Sequence, residues 1–345
     1  MRVAIQAPWL PRPHGGMTVL FAYGNGLVRR GHDVTMVLTR MGHGVPEGVK
    51  TAAEVRALEW LPVDDGLACI DGSDASLVEA LDADALIRFT ADPLAGEPLW
   101  QNRLGPREFM VVQALKVLPP EFEDALLDYP ATKLCVARWL VDAVEARHET
   151  NGLSFPVVHL PSGIDHDRFV APAPGQERDI DVLLIYNPAP TKAARVGFGA
   201  TELVRRHHPG QRVEMFGAFS RPDWLSGHVE YHHQPDPAEL VELYRRSKVF
   251  LLSSALEGFG LASIEAMACG ATLVTTDNGG SADYAVDGHN ALVAAAGDRS
   301  GLAANVQRLL ADSEYRAELA LRGMETATGY RWEETIDRLE ALLDV

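Results

Sequence analysis

Glu257-Gly258-Phe259-Gly260-Leu261-Ala262-Ser263-Ile264-Glu265 follows closely on the apolar run Val249 to Leu252 and opens a helical pattern that reaches Ala268. Strand, glycine-bearing loop and helix in that order make half of a βαβ unit. Gly258 and Gly260 let the backbone approach a ligand closely, and free N–H groups at the start of a helix attract phosphate by hydrogen bonding and through the helix dipole. Glu265 falls further along the helix, where a carboxylate can accept both hydroxyls of a ribose, while Glu257 on the loop faces whatever the phosphates carry. Standing alone, the same residues would read more readily as a helix cap with a glycine turn and two exposed glutamates.

The pattern continues outward on both sides. Before it run strand Val182 to Tyr186, helix Ala194 to His207, strand Val213 to Gly217 and helix Pro237 to Arg246; after it come strand Thr272 to Thr275, a Gly279-Gly280 turn and helices from Asp298 onward. The first forty residues repeat the plan, with strand Val3 to Ala7, a loop from Pro8 to Gly16, a helix to Arg30 and strand Val34 to Leu38. Further strands are predicted at Ala85 to Phe89, Phe109 to Val112, Lys133 to Ala137 and Val157 to Leu160, with a helix from Arg138 to Glu149. This alternation specifies an α/β chain of two Rossmann-like domains with parallel, helix-covered sheets. The Pro/Gly/Asp-rich break from Pro161 to Gly175 divides them, and the domains are placed at 1–168 and 169–330.

Composition narrows the function. A chain of 345 residues exceeds what one hydrophobic core usually organises. The formal charge of -17 argues against a nucleic-acid partner and gives no indication of membrane contact, although a local basic patch is compatible with an acidic average. No apolar stretch approaches the roughly 20 residues of a membrane span, and Met1 leads straight into a strand without a signal peptide, so a cytoplasmic location is expected. Cys69, Cys135 and Cys269 lie in apolar runs and read as reduced core residues. The adjacent pairs His207-His208 and His232-His233 cannot chelate together in a strand, and a surface or loop position is expected for them; no metal site is read from the sequence.

The stretch from Glu257 to Glu265, with Glu-Ala-Met-Ala-Cys-Gly at 265–270, Gly279-Gly280 and Asp287-Gly288-His289-Asn290, resembles glycosyltransferase family 4 of the GT-B fold, whose signature is two glutamates separated by seven residues. The likeness extends to Gly15-Gly16, Arg30-Gly31-His32-Asp33-Val34, Leu160-Pro161-Ser162-Gly163-Ile164-Asp165 and Arg331-Trp332-Glu333. It implies two Rossmann-like domains facing across a cleft: an N-terminal acceptor-side domain, a C-terminal nucleotide-sugar domain, and a final helix from about residue 331 that crosses back onto the first domain. It also implies a retaining, metal-independent transferase of carbohydrate biosynthesis. Such an enzyme needs no cofactor; it takes a nucleotide-diphosphate sugar as co-substrate and a sugar-containing or small-molecule acceptor.

Carried onto this chain residue by residue, the resemblance makes Lys192 and Glu257 catalytic. It gives donor binding to Gly15, Gly16, Asn187, Lys192, Gly258, Phe259, Gly260, Leu261 and Glu265, and places Gln113 on the acceptor side. Three positions depart from the family. Asn187 stands where an Arg is usual, with Arg195 the nearby substitute; Lys192-Ala193 replaces Lys-Gly; and Gln113 replaces a histidine, so it can hydrogen-bond a sugar but not exchange a proton near neutral pH. The alternative function is a GT-B nucleotide-sugar epimerase, which would bind the same donor but need no acceptor pocket. A dehydrogenase is disfavoured, because the long, Pro-rich first loop lacks Gly-x-Gly-x-x-Gly.

Overall fold

A computed structural model of the chain describes residues 1–9, 12–39, 52–72, 74, 76–77, 80–89, 107–116, 120–173 and 175–344. Leu10 and Pro11 of the first loop and Pro174 of the break lie outside the described residues. The chain divides into two compact units, residues 1–163 with Trp332 onward, and Ile164–Arg331.

The first unit holds a parallel sheet built from β1 (Arg2–Pro8), β2 (Asp33–Thr39), β3 (Ala68–Asp71), β4 (Ala85–Arg88), β5 (Arg107–Val112), β6 (Thr132–Cys135) and β7 (Val157–His159), in the order β3-β2-β1-β4-β5-β6-β7. Around it run α1 (Gly15–Arg29), α2 (Ala52–Arg56), α3 (Pro120–Asp128) and α4 (Arg138–Asn151). The central strands are apolar on both faces because helices cover both; β4 is buried throughout.

The C-terminal helix α10 (Trp332–Leu343) belongs to this unit, as the sequence predicts. It packs on α1, with Ile336 against Gly26 and Trp332 edge-on to Tyr23 at 6.3 Å. Gly26 is obligatory there, since a Cβ would lie 2.5 Å from the Ile336 side chain. Arg30 and His32 pair with Glu340, and Thr335 Oγ1 donates to Pro161 O at 2.8 Å.

The second unit repeats the design with β8 (Ile180–Tyr186), β9 (Val213–Gly217), β10 (Glu230–His233), β11 (Ser247–Leu252), β12 (Thr272–Thr276) and β13 (Ala291–Ala294), in the order β10-β9-β8-β11-β12-β13, all parallel. Its helices are α5 (Ala194–Arg205), α6 (Pro237–Arg246), α7 (Leu261–Ala268), α8 (Arg299–Ala311) and α9 (Ser313–Ala327). The core between sheet, α5, α8 and α9 is aliphatic, built on Val182, Leu184, Val249, Val306 and Leu319. The half-buried Arg178 donates to the carbonyls of Arg245, Ser247 and Cys269 at 2.8, 2.9 and 2.9 Å, satisfying acceptors at the ends of these elements.

Two sequence expectations change here. The passage between units comes at Gly163/Ile164 rather than 168/169. Ile164 bridges to Arg331, its N–H bonds Tyr330 O at 3.0 Å, and Arg245 holds Val170 O at 2.8 Å, so residues 164–170 belong to the second unit. His232-His233, expected at the surface or in a loop, lies in β10, where His233 is exposed as expected but His232 turns inward between Glu214 and Glu239 at 2.8 and 2.9 Å.

Candidate active site

In the second sheet the chain leaves β8 towards β9 and β10, then returns to add β11, β12 and β13 on the other side. Such a reversal opens a crevice beyond the carboxyl ends of the two diverging strands, here β8 and β11, and the loops that follow them carry the ligand groups of open α/β sheets.

The loop after β8 is shaped by Asn187, whose Oδ1 accepts from Ala189 N at 2.9 Å in an Asx turn. That bond engages the side-chain oxygen in shaping the loop. The chain then makes a 3₁₀ turn over Pro190–Lys192 and enters α5 through Ala193, whose φ of 44° is left-handed, a conformation that glycine takes without steric cost. Thr191 O accepts from Ala255 N at 2.7 Å and Leu256 N at 3.2 Å, which ties this loop to the one after β11.

Lys192 and Glu257 are thereby brought together. Nζ of Lys192 lies 2.7 Å from Oε2 of Glu257, and Ser254 Oγ donates to Glu257 Oε1 at 2.6 Å. The Glu257 side chain is only 8% exposed, so these two partners take the place of water around it, whereas Lys192 at 33% reaches solvent. A third loop braces the pair: Glu257 N donates to Asn278 O at 2.9 Å, Asn278 Oδ1 accepts from Ser281 N and Oγ at 3.0 and 2.8 Å, and Thr276 Oγ1 donates to Ser254 O. Gly280 passes so close that a Cβ would fall 2.6 Å from Gly258 O, which is the physical reason for the Gly279-Gly280 motif.

Gly260 caps α7 with φ 90°, and no side chain closes the N-terminus of this helix. A Cβ on Gly260 would lie 2.7 Å from the Tyr284 hydroxyl, which donates to the carbonyls of Phe259 and Gly260 at 3.1 and 2.9 Å. The Phe259 ring is buried against Tyr284 and Tyr330 at 5.4 and 5.6 Å between centroids, so Phe259 offers a ligand its backbone and not its ring. At its far end α7 closes in a Schellman motif, with Gly270 at φ 76° and bonds from Gly270 N to Met267 O and Ala271 N to Ala266 O, accounting for the glycine of Glu-Ala-Met-Ala-Cys-Gly.

Glu265 points from α7 towards α6, where Tyr244 donates its hydroxyl to Oε2 at 3.1 Å. Burial pushes the Glu265 carboxyl up to about 7, against the opposing pull of Arg168 and of the Tyr244 hydrogen bond. The carboxyl group read from the sequence as the ribose acceptor therefore sits at the edge of protonation near neutral pH. Arg195 lies elsewhere, with its guanidinium 5.0 Å over the ring of Trp224.

The first unit has its own reversal, between β1 and β4. Gly15 and Gly16 are not loop residues, as the sequence reading has them, but the first residues of α1; His14 caps the helix, with Nδ1 accepting from Gly16 N at 3.1 Å. Gln113, beyond the end of β5, donates from Nε2 to Gly16 O at 3.2 Å, and a Cβ on Gly16 would run into its Oε1. Two residues singled out separately in the sequence thus form one contact.

Sequence reasoning misses Ser254, Tyr244, Asn278 and Tyr284, although Ser254 and Asn278 follow strands directly and stand beside recognised motifs. It also misses a cluster of Glu214, Glu230 and His232 whose ligand atoms are close enough to hold a cation. These residues come from two separate strands, and Arg212 already pairs with Glu214 at 2.7 Å and with Glu230 at 3.5 Å.

Residues 224–325 match the family model described as glycosyl transferases group 1, a span that contains Glu257, the glycine loop and Glu265. The chain is 32% identical over 130 residues to glycogen synthase of Mycobacterium tuberculosis, covering 35% of this chain and 31% of that protein. It is 35% identical over 101 residues to D-inositol 3-phosphate glycosyltransferase of Stackebrandtia nassauensis, covering 29% and 23%. The chain thus spans about a third or less of the length of these relatives. In structure it is similar to Anabaena HepE in complex with UDP and glucose, at 16% identity and a TM-score of 0.75 over 100% of this chain and 99% of that one. The fold is GT-B.

Proposed function

We propose that the chain is a retaining, metal-independent glycosyltransferase that moves a sugar from a nucleotide-diphosphate donor to the hydroxyl of a glycan, glycolipid or small-molecule glycoside. The observation that carries this reading is the Lys192–Glu257 pair at the β8/β11 reversal, beside the open N-terminus of α7 and one turn from Glu265. The group 1 match over the same residues supports it, and the likeness to HepE makes a uridine nucleotide the first donor to try.

On this reading the donor diphosphate lies against Lys192 and the backbone N–H groups from Gly258 to Leu261, Glu265 accepts from the ribose, and Glu257 from the sugar hydroxyls. As the bond between the anomeric carbon and the diphosphate oxygen breaks, the added negative charge on that oxygen is stabilised by the Lys192 ammonium and the dipole of α7. The acceptor hydroxyl attacks from the face the diphosphate leaves, a bond forms between its oxygen and the anomeric carbon, and its proton passes to the departing diphosphate oxygen. No protein base is required, and the configuration is kept. The buried, unpaired cysteines support a reducing, cytoplasmic setting, and no helix among the described residues is long and apolar enough to cross a membrane.

A thermal-shift panel of nucleoside diphosphates tests the donor assignment, since a ligand that binds only the folded state raises its melting temperature. One nucleotide should stand out, and NMR of the product made from the corresponding nucleotide sugar should show the donor's anomeric configuration. A panel with no shift at millimolar concentrations overturns the donor site; an inverted product overturns retention.

A further inference from the structure

Beside the β8/β11 crevice, one strand further along the sheet, an open recess of about 610 Å³ lies at the carboxyl ends of β8 and β9. Tyr186, Arg195, Arg221, Asp223 and Trp224 line it. Its walls are fixed. Trp224 packs edge-on to Tyr186 at 5.7 Å and against Phe198 at 5.6 Å, and the Arg221 guanidinium is bound to the carbonyls of Val229, Leu225 and Ser226 at 2.9, 3.2 and 2.7 Å.

Arg195 differs from Arg221. Its guanidinium carbon lies 5.0 Å over the ring of Trp224, and among the described residues no carboxylate pairs with it, in a chain where 48 acidic side chains outnumber 31 Lys and Arg. A guanidinium held over a ring without a carboxylate partner keeps N–H donors for other acceptors, and the acceptors that match its fork are the oxygens of phosphate and carboxylate groups.

We infer that this recess is a phosphate-binding site in which Arg195, held over the ring of Trp224, supplies the cation. The phosphate belongs either to the donor diphosphate, an assignment that rests on the transferase reading above, or to a phosphate-bearing acceptor.

Inorganic pyrophosphate is the probe, because it carries no base or sugar. Calorimetric titration should show affinity falling about tenfold in Arg195→Gln, as for the loss of a charge-assisted hydrogen bond, and rising in Asp223→Asn, which removes the acid lining the recess. Arg195→Lys should restore the affinity only in part, since an ammonium lacks the planar edge. The melting temperature of unliganded Arg195→Gln should stay near wild type, Arg195 being exposed. If saturation with the best nucleoside diphosphate abolishes the Arg195-dependent binding, the phosphate is the donor's; if the binding persists, it is an acceptor's. Unchanged pyrophosphate affinity in Arg195→Gln, with a loss in Lys192→Gln, overturns the recess and leaves the donor reading standing. A wild-type protein that binds neither pyrophosphate nor any nucleoside diphosphate overturns both.

Discussion

Lys192 Nζ stands 2.7 Å from Glu257 Oε2, so without ligand the cation assigned to the leaving group is already engaged by the carboxylate assigned to the sugar. A diphosphate must share that ammonium, and the two partners cannot be altered independently. Lys192→Ala should lower kcat about a hundredfold, with a smaller change in donor KM, because the ammonium interacts most strongly with charge that develops as the bond breaks. Glu257→Gln should lower turnover while strengthening pyrophosphate binding, since Lys192 loses its competitor. Steady-state kinetics and calorimetry on the two variants check this; a Lys192→Ala enzyme that keeps its kcat but loses donor affinity would make Lys192 a ground-state binding residue.

Turnover should survive exhaustive dialysis against EDTA, because the charge that a divalent ion would neutralise is met by Lys192 and the dipole of α7. The cation-sized cluster at Glu214, Glu230 and His232 lies on β9 and β10, beyond the β8/β11 crevice. Activity lost with EDTA and regained with Mg²⁺ or Mn²⁺ would contradict this.

How much of this was legible beforehand follows burial. Covered strands such as Val213–Gly217, buried throughout and apolar but for Glu214, are read to the residue, as is helix Leu261–Ala268 between its two glycines. The strands overlooked, Ala68–Asp71, Glu230–His233 and Ala291–Ala294, are four-residue sheet edges; Glu230–His233 is polar, and the other two are too short for their apolar residues to mark a strand. At the site, Glu257, Lys192 and Glu265 announce themselves by residue type and placement. The raised carboxyl of Glu265 does not, because it depends on how deeply α6 and α7 bury it, and the meeting of Gly16 with Gln113 depends on which strand lies beside β1.

That meeting can be tested. Gly16→Ala places a methyl group where the Gln113 Oε1 lies, so the amide must swing away and release Gly16 O. Gly16→Ala and Gln113→Ala should each lower kcat/KM, and the double variant should fall short of the sum by about 1 kcal/mol, as expected for residues in contact. Strict additivity would show that the two act apart.

Glu265 links function to stability through pH. Its carboxyl titrates at about 7 in the folded chain against an ordinary 4.5. Raised in the fold, it contributes stability that is fully present below about 4.5 and is lost as pH rises through about 7, because the unfolded chain gives up the proton first. The loss amounts to on the order of 3 kcal/mol at 1.36 kcal/mol per pKa unit. Glu265→Gln cannot ionise, so by thermal melts it should be more stable than wild type at pH 8 and show no such advantage near pH 4.5. Ligand binding should carry the opposite sign. Ribose hydroxyls donate to the ionised carboxylate, so nucleoside diphosphate affinity in the wild type should rise between pH 6 and about 7.5 with release of a proton, and Glu265→Gln should lose about tenfold in affinity and the part of that pH dependence beyond what the ligand's own terminal phosphate, ionising near about 6, gives both proteins. Calorimetry in two buffers of different ionisation enthalpy counts the released proton directly. Wild-type affinity that is flat across this range, with no proton released, would remove Glu265 from the ribose even if the stability difference appeared as expected.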